Sequence, residues 1–342
     1  MIVYMKIREN VPIAELTTMR MGGFARYVVE ITTVNDIVEA YKFADEKGLP
    51  TYILGGGSNT IGRDEGFDGV ILLNKLRGID VLGDDGETVT VQAMAGEKLD
   101  DLAAFTVERD LTGIEAMSAI PGTVGAAPVQ NVGAYGQDIG AVLVSVEAFD
   151  TELRDFITLS VKELGFRYRR SILNSDMKKR FFVTAVTVRL RRGEIAGELY
   201  RSLQAYLDEN GIADRRPATI RDAVIAVRAG KIPNPMKIAS SGSFFKNVSV
   251  DEAEIDGLRA KFPNIPIYKI GESWEVAAGW LIEQTGLKGQ LLHGMRVSDK
   301  AALILINESA GNYADLAAAR AAIVAAVRDK FGLELEQEPE EI

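Results

Sequence analysis

Five short segments hold the residue types and spacings from which chemistry can be built. Leu54-Gly55-Gly56-Gly57-Ser58-Asn59 directly follows a short apolar run, Thr51 to Leu54. Consecutive glycines let a backbone approach a ligand closely and aim several N–H groups at one spot, a geometry that cradles phosphate without a cation. The segment lacks the terminal Gly-Lys-Ser/Thr of a P-loop, and Thr60 stands where a dinucleotide fingerprint has its third glycine. A glycine turn without a ligand fits the same residues. The second segment is Ile120-Pro121-Gly122-Thr123-Val124-Gly125, which leads to Gln130-Asn131-Val132-Gly133-Ala134-Tyr135-Gly136. From Ala119 to Gly140 the chain is apolar and glycine-punctuated, with little periodicity. Ordering such a stretch costs conformational entropy, and loops of this length are usually functional or disordered. Its aliphatic content argues against disorder. A bound cofactor accepting backbone hydrogen bonds accounts for it; so does an irregular crossing of the core.

The third segment, Phe166-Arg167-Tyr168-Arg169-Arg170-Ser171, concentrates three arginines beside a tyrosine. A guanidinium fork matches a carboxylate or a phosphate, although a solvated charged turn has the same composition. In the fourth, Ser241-Gly242-Ser243-Phe244-Phe245-Lys246-Asn247, Ser243 sits between a glycine and two aromatics. A serine hydroxyl there can protonate a strongly basic carbanion or enolate beside it, or can simply start a strand. The fifth is the acidic run Glu334, Glu336, Glu338, Glu340 and Glu341. In a strand Glu334, Glu336 and Glu338 share one face, but a solvated tail reads the same way, and the pattern does not single out Glu338.

The elements that must position these segments read as α+β. Thr33 to Gly48 is a helix capped by Thr33 and ended by Gly48, with the strands Thr51 to Leu54 and Val70 to Leu73 after it. Thr88 to Ala93 alternates as a strand, Leu99 to Arg109 is helical, and Val142 to Phe149, Asp155 to Leu159 and Phe181 to Leu190 are strands. Glu198 to Asn210 and Thr219 to Ala229 read as helices. The two prolines of Lys231-Ile232-Pro233-Asn234-Pro235 then break the chain and mark a domain boundary. Beyond it, Ser249 and Glu252 form a capping-box pattern for a helix to Phe262. Val276 to Gln284 and Tyr313 to Phe331 are helices; Ala302 to Asn307 and Leu333 to Glu338 are strands. With a second boundary near Arg77, the expected domains are residues 1–76, 77–230 and 231–332, with 333–342 returning to the first.

Composition narrows the chemistry further. The 342 residues are 47% hydrophobic and 26% charged, an ordinary folded balance. A net charge of −10 opposes general nucleic-acid binding. No cysteine is present, so disulfides, thiolate metal sites and thiol nucleophiles are excluded. The single histidine, His293, excludes a His-based metal cluster, and its Leu-Leu-His-Gly-Met setting has no nucleophile elbow nearby. The N-terminal stretch Met1 to Asn10 is charged and does not read as a signal peptide, and no stretch approaches the ~20 apolar residues of a membrane span. A cytoplasmic protein with no membrane, nucleic-acid or obligate protein partner is expected.

The five segments, in this order and over nearly the whole chain, resemble the UDP-N-acetylenolpyruvoylglucosamine reductase (MurB) family. The resemblance runs from Leu16-Thr17-Thr18-Met19-Arg20-Met21-Gly22-Gly23 to Leu335-Glu336-Gln337-Glu338-Pro339. It implies a vanillyl-alcohol-oxidase-type FAD-binding fold of two α+β subdomains and a third, substrate-binding domain. It also implies hydride transfer from NADPH through FAD to the enolpyruvyl group of a UDP-sugar. Gly55, Gly56, Gly57, Ser58 and Asn59 then correspond to one FAD loop. Ile120, Pro121, Gly122, Gly125, Gln130, Asn131, Gly133, Ala134 and Tyr135 correspond to the other. By the same resemblance Arg169 engages the enolpyruvyl carboxylate, Ser243 is the proton donor and Glu338 the catalytic glutamate. Lys231, Asn247 and Gln284 face the diphosphate side, and Tyr168 and Tyr200 are substrate contacts. Because there is no cysteine and His293 lies in the third domain, FAD is expected to be non-covalent. Arg170, Val248 and Thr17 depart from the family's commoner Asp, Pro and Asn. The tail runs only four residues past Glu338, shorter than is usual in the family, so a Glu338 that depends on the tail for its position is expected to be held more loosely.

Overall fold

Thr33 opens the first helix by a reciprocal cap. Its hydroxyl accepts the Asp36 N–H, and the Asp36 carboxylate accepts the N–H groups of Thr32 and Thr33. Burial pushes the Asp36 carboxyl up, but these bonds outweigh it and leave the group below the usual aspartate value. The helix Val34–Lys47 buries Ile37, Ala40, Tyr41 and Ala44, and Gly48 ends it at φ 62°. The computed structural model describes residues 5–175, 177–270 and 273–342; Met1 to Tyr4, at the head of the N-terminal stretch, lie outside the described residues. The chain divides into two compact units. One takes residues up to Glu9, Arg26–Gly56 and Asp68–Ala229; the other takes Asn10–Ala25, Gly57–Phe67 and Gly230–Ile342.

The first unit holds two sheets. In the smaller, the strand order is Lys6–Pro12, Phe24–Ile31, Phe67–Asn74 and Thr51–Leu54, the last two parallel. The helix Val34–Lys47 joins Val29, Ile31, Val70 and Leu72 in one core. The larger sheet is antiparallel, in the order Asp155–Ser160, Leu143–Asp150, Phe181–Arg192, Thr88–Met94 and Ile79–Asp84. Phe181–Arg192 is buried continuously from Phe181 to Val188, because it contributes Val186 and Val188 to one core and Phe182 to the other. Val186 stands opposite both Ala93 and Val146, and this layer packs with Leu102, Ile114 and Met117. Each large aliphatic side chain buried here contributes roughly 1.5–3 kcal/mol relative to exposure. The stretch from Ala119 to Gly140 contains only 3-10 turns at Val124–Ala126 and Ile139–Ala141 and the two-residue strands Gly133–Ala134 and Gln137–Asp138.

The second unit has a sheet in the order Ser240–Ser243, Ile304–Asn307, Met295–Val297 and Leu291–Leu292. A three-stranded sheet runs Val248–Val250, Ser273–Val276 and Ile267–Ile270. The helix Tyr313–Phe331 buries Leu316, Ala319, Ile323, Val327 and Phe331, a helical period that faces the common core.

Two expectations are corrected. The capping box of Glu252–Lys261 is formed by Asp251 and Glu254, not by Ser249 and Glu252. Ser249 lies in a strand opposite Glu275 and donates its hydroxyl to that carboxylate at 2.7 Å, so Asp251 is the first residue past the strand. Leu333 to Glu338 is not a regular strand. Leu333 and Leu335 are buried while Glu334 and Glu336 are exposed, but the segment meets a neighbouring backbone in a single bridge, Phe245 to Gln337. Regular pairing starts at Glu340–Glu341, parallel to Thr60–Ile61.

Glu275 is 1% exposed, and its Oε2 has no hydrogen-bond partner. Burial raises its pKa above the ordinary glutamate value against the lowering effect of the Ser249 bond. The folded state therefore holds this proton more tightly than the unfolded chain, and stability is lost as pH rises through the folded-state pKa. Glu275→Gln is expected to raise the thermal midpoint at pH 7.5 by roughly 2–4 °C. The gain should shrink to nothing below about pH 4, where the wild-type carboxyl is protonated in both states. Equal midpoints across that range would sink this account.

Candidate active site

In the first unit the two glycine segments pack backbone to backbone. A Cβ at Gly55 would come 2.5 Å from Thr123 Oγ1, and one at Gly56 would come 3.0 Å from Gly122 Cα. Gly122 is itself at φ 123°, and its carbonyl accepts the Leu99 N–H. The amide N–H groups of Gly55, Gly56 and Gly122 bond to no described residue. A cradle without side chains, carrying backbone donors, fits the phosphates of a dinucleotide cofactor.

The rest of the long loop is held by side chains. Asn131 Oδ1 accepts the Gly140 N–H at 3.0 Å, and Ser171 Oγ donates to the Val129 carbonyl at 2.7 Å. Glu115 is fully buried and accepts from Thr112 Oγ1, Gly113 N and Gln137 Nε2, while Gln137 Oε1 accepts the Ala116 N–H. These bonds fix the hairpin that bears Gly133, Ala134 and Tyr135. Arg169 sits at φ 51° in a turn closed by Arg167 and Arg170, and its carbonyl accepts Asn174 Nδ2. Its guanidinium reaches the Gly133 carbonyl at 3.5 Å and lies over the Tyr168 ring. The third segment is thus brought to the second. Tyr200 is half-exposed at the start of Arg201–Glu209, with its ring edge-on to Tyr135.

In the second unit a turn at Gly57 joins Ser243 and Glu338 into one cluster. Gly57 has φ 63°, and a Cβ there would fall 1.9 Å from the Leu16 carbonyl oxygen. The Gly57 carbonyl accepts the Thr18 N–H at 3.0 Å. Thr18 in turn donates its hydroxyl to the Ser240 carbonyl at 2.6 Å and accepts the Ser240 N–H. Ser240 begins the strand that ends at Ser243. Gly242, at φ 73°, lies in an irregularity of that strand, where Ser240 faces Ile306 and Ser243 faces Ile304. The extra residue re-aims Ser243 away from simple alternation. Phe244 then accepts the Glu338 N–H at 2.9 Å, Asn59 Nδ2 approaches the Glu338 carbonyl, and the Asn59 carbonyl accepts the Glu340 N–H.

The remaining positions are more dispersed. Lys231 ends the helix Pro217–Lys231. Asn247 Oδ1 accepts the Ala278 N–H and so caps the helix that Gln284 completes. Gln284 is exposed, and its carbonyl accepts Lys330 Nζ. His293 occupies a hairpin turn at φ 48°.

Sequence reasoning passed over Arg228, three residues before Lys231. Burial holds its guanidinium below the usual arginine value, against the field of the Tyr135 hydroxyl, which it hydrogen-bonds, and of Asp100. A half-buried cation thus faces the hairpin that bears Tyr135. The signal in sequence was its seven-residue offset from Arg221, which places both on one side of a helix. Thr18 and Arg20 were also missed; Arg20 donates to the Pro235 and Met236 carbonyls, in the stretch just after Lys231.

Residues 25–152 match the family model described as FAD binding domain. Together with the glycine cradle, this makes the chain an FAD-binding protein of mixed α+β fold. Residues 234–342 match the model for the C-terminal domain of UDP-N-acetylenolpyruvoylglucosamine reductase. A reductase of that name from Ralstonia nicotianae is 39% identical, covering 96% of this chain and 97% of the relative. Another, from Burkholderia ambifaria, is 36% identical over 96% of this chain and 95% of its own length. The crystal structure of the Thermus caldophilus enzyme shares the fold over 99% of both chains, with a TM-score of 0.69 at 23% identity. The chain belongs to the UDP-N-acetylenolpyruvoylglucosamine reductase family.

Gly57 gives a direct test of the cluster. An alanine there meets backbone rather than a movable side chain, at a positive φ. Gly57→Ala is expected to destabilise the fold by more than ~2 kcal/mol and to weaken FAD retention, read by urea unfolding and by release of flavin fluorescence. Wild-type stability with full flavin content would contradict the packing described.

Proposed function

We propose that the chain reduces the enolpyruvyl ether of UDP-N-acetylglucosamine to UDP-N-acetylmuramate, in the supply of peptidoglycan precursors. The observation that supports this reading best is the Glu338 N–H bond to the Phe244 carbonyl, which sets a carboxyl-bearing residue beside the serine segment. The Gly55–Asn59 and Ile120–Tyr135 loops would hold FAD non-covalently, and the bound flavin would supply the two-electron chemistry that links NADPH to the β-carbon of the enol ether. Negative charge then builds on the adjacent carbon and its carboxylate. Arg169 supplies a guanidinium to that carboxylate. Ser243 Oγ donates the proton that quenches the carbanion, and Glu338 acts beside the same carboxylate. Lys231, Asn247 and Gln284 bind the diphosphate side, and Tyr168 and Tyr200 line the approach of the sugar nucleotide. The reading assigns residues 1–76 and 77–230 to FAD and 231–332 to the substrate, with 333–342 returning to the first.

Serine suits this role because the species it must protonate is far more basic than water, so no pKa near neutrality is needed. The arginine's contribution is electrostatic: a fixed cation aimed at developing charge is worth ~10²–10³ in rate.

The test is an anaerobic titration of the flavin-loaded protein. NADPH is expected to bleach the flavin band, and the enolpyruvyl sugar to restore it. Arg169→Ala and Ser243→Ala should slow recovery by ~10²–10³-fold while bleaching by NADPH stays near the wild-type rate. Recovery with oxygen but not with the sugar would replace this reading with an oxidase of the same fold.

A further inference from the structure

The short tail after Glu338 is not loose. Ile342 N donates to the Ile61 carbonyl, and Arg63 N donates to the Ile342 carbonyl. The side chains do more. Arg320, on the helix Tyr313–Phe331, donates from NH1 to Gln337 Oε1 at 2.5 Å and to Glu341 Oε1 at 2.6 Å. Its NH2 reaches the Tyr313 hydroxyl at 3.3 Å. Gln337 turns its Nε2 to the Pro339 carbonyl at 2.7 Å and to Glu341 Oε1 at 3.3 Å. The carboxamide of Gln337 thus spans the backbone of Glu338, tied to the helix on one side and to the tail on the other. Arg320 and Glu341 are 28% and 24% exposed, so water screens the pair only in part. Burial alone would push the Glu341 carboxyl up; the Tyr313 and Arg320 bonds overcome it and hold the group below the usual glutamate value. Arg63 Nη1 lies 3.7 Å from the other Glu341 oxygen.

We propose that Arg320 is a positioning residue for Glu338, acting through Gln337 and Glu341 to fix the backbone from which the Glu338 side chain projects. The inference rests on the role proposed above for Glu338. A guanidinium is needed because one planar group must serve an amide oxygen, a carboxylate and a phenol at once. Without it the partly buried Glu341 keeps only the longer contacts with Arg63 and Gln337 and its Tyr313 bond, and Gln337 loses its link to the helix. The clamp runs from Gln337, one residue before Glu338, to Pro339 and Glu341, one and three residues after it.

The test is a double-mutant cycle on the flavin-loaded full chain. Arg320→Ala and Glu338→Gln are made singly and together. Flavin absorbance then follows bleaching by NADPH and recovery with the enolpyruvyl sugar as separate half-reactions. Arg320→Ala is expected to slow recovery ~10- to 100-fold. Bleaching should stay within ~2-fold of wild type, and in the Glu338→Gln background the same change should cost less than ~2-fold. Glu341→Gln is the milder second variant and decides the matter if Arg320→Ala does not fold; it should slow recovery in the wild-type background and not in Glu338→Gln. Equal slowing in both backgrounds overturns the inference while leaving the role of Glu338 intact, and so does parallel slowing of bleaching. If Glu338→Gln alone leaves recovery at the wild-type rate, the role of Glu338 fails and this inference fails with it.

Discussion

The Gly57 turn has no room for a side chain, and the chemistry-bearing part of the second unit is arranged around that constraint. Leu16 to Thr18 lies against it, and the Gly57 carbonyl is bonded to the Thr18 N–H. Thr18 then exchanges hydrogen bonds with Ser240, which fixes the strand bearing Ser243. Asn59, two residues past Gly57, contacts the Glu338 backbone and pairs the tail. A larger residue at Gly57 would therefore displace the glycine loop and also the support of two side chains far away in sequence. The Leu-Thr-Thr-Met-Arg segment, which carries no evident chemistry, is what makes this connection.

The tail illustrates how a short extension can still be rigid. Three parallel-strand bonds and one arginine fork hold it to the Asn59–Arg63 stretch and to the helix Tyr313–Phe331. Surface ion pairs usually contribute little. This one differs because its members are about three-quarters buried and share Gln337 and Tyr313 as common partners. Removing one member leaves polar groups unsatisfied rather than returning them to water.

Much of this was legible in the sequence, for identifiable reasons. The helix Tyr313–Phe331 is rich in alanine and the strand Thr88–Met94 alternates, and their ends fall within a few residues of those expected. The glycine segments announced close backbone approach because few other roles need three consecutive glycines. Leu333 to Glu338 misled because apolar alternation reports which side is buried, not whether a neighbour offers a ladder. Ser249 misled because a serine that precedes an acidic residue reads as a cap, while its actual partner, Glu275, is twenty-six residues away. Arg320 and Thr18 were illegible for the same reason. Each matters through a partner that only the folded chain supplies.

The strain in the backbone leads to the same loops by an independent route. Among the described residues, ten non-glycine positions have positive φ, and Ala119, Asn131, Tyr135 and Arg169 are four of them. All four lie in or beside the second glycine segment. Each costs of order 1 kcal/mol or more, so each must be held by something. Ala119 donates its N–H to Asp100, which Arg221 also grips at 2.6 Å. Asn131 is bonded to Gly140, Tyr135 to Arg228, and the Arg169 carbonyl to Asn174. Every strained residue has its own polar clamp. A loop that merely crossed the core would relax into less costly conformations. One that, on the proposed reading, presents backbone donors to a cofactor and a guanidinium to a substrate cannot, and the clamps are what keep it from doing so.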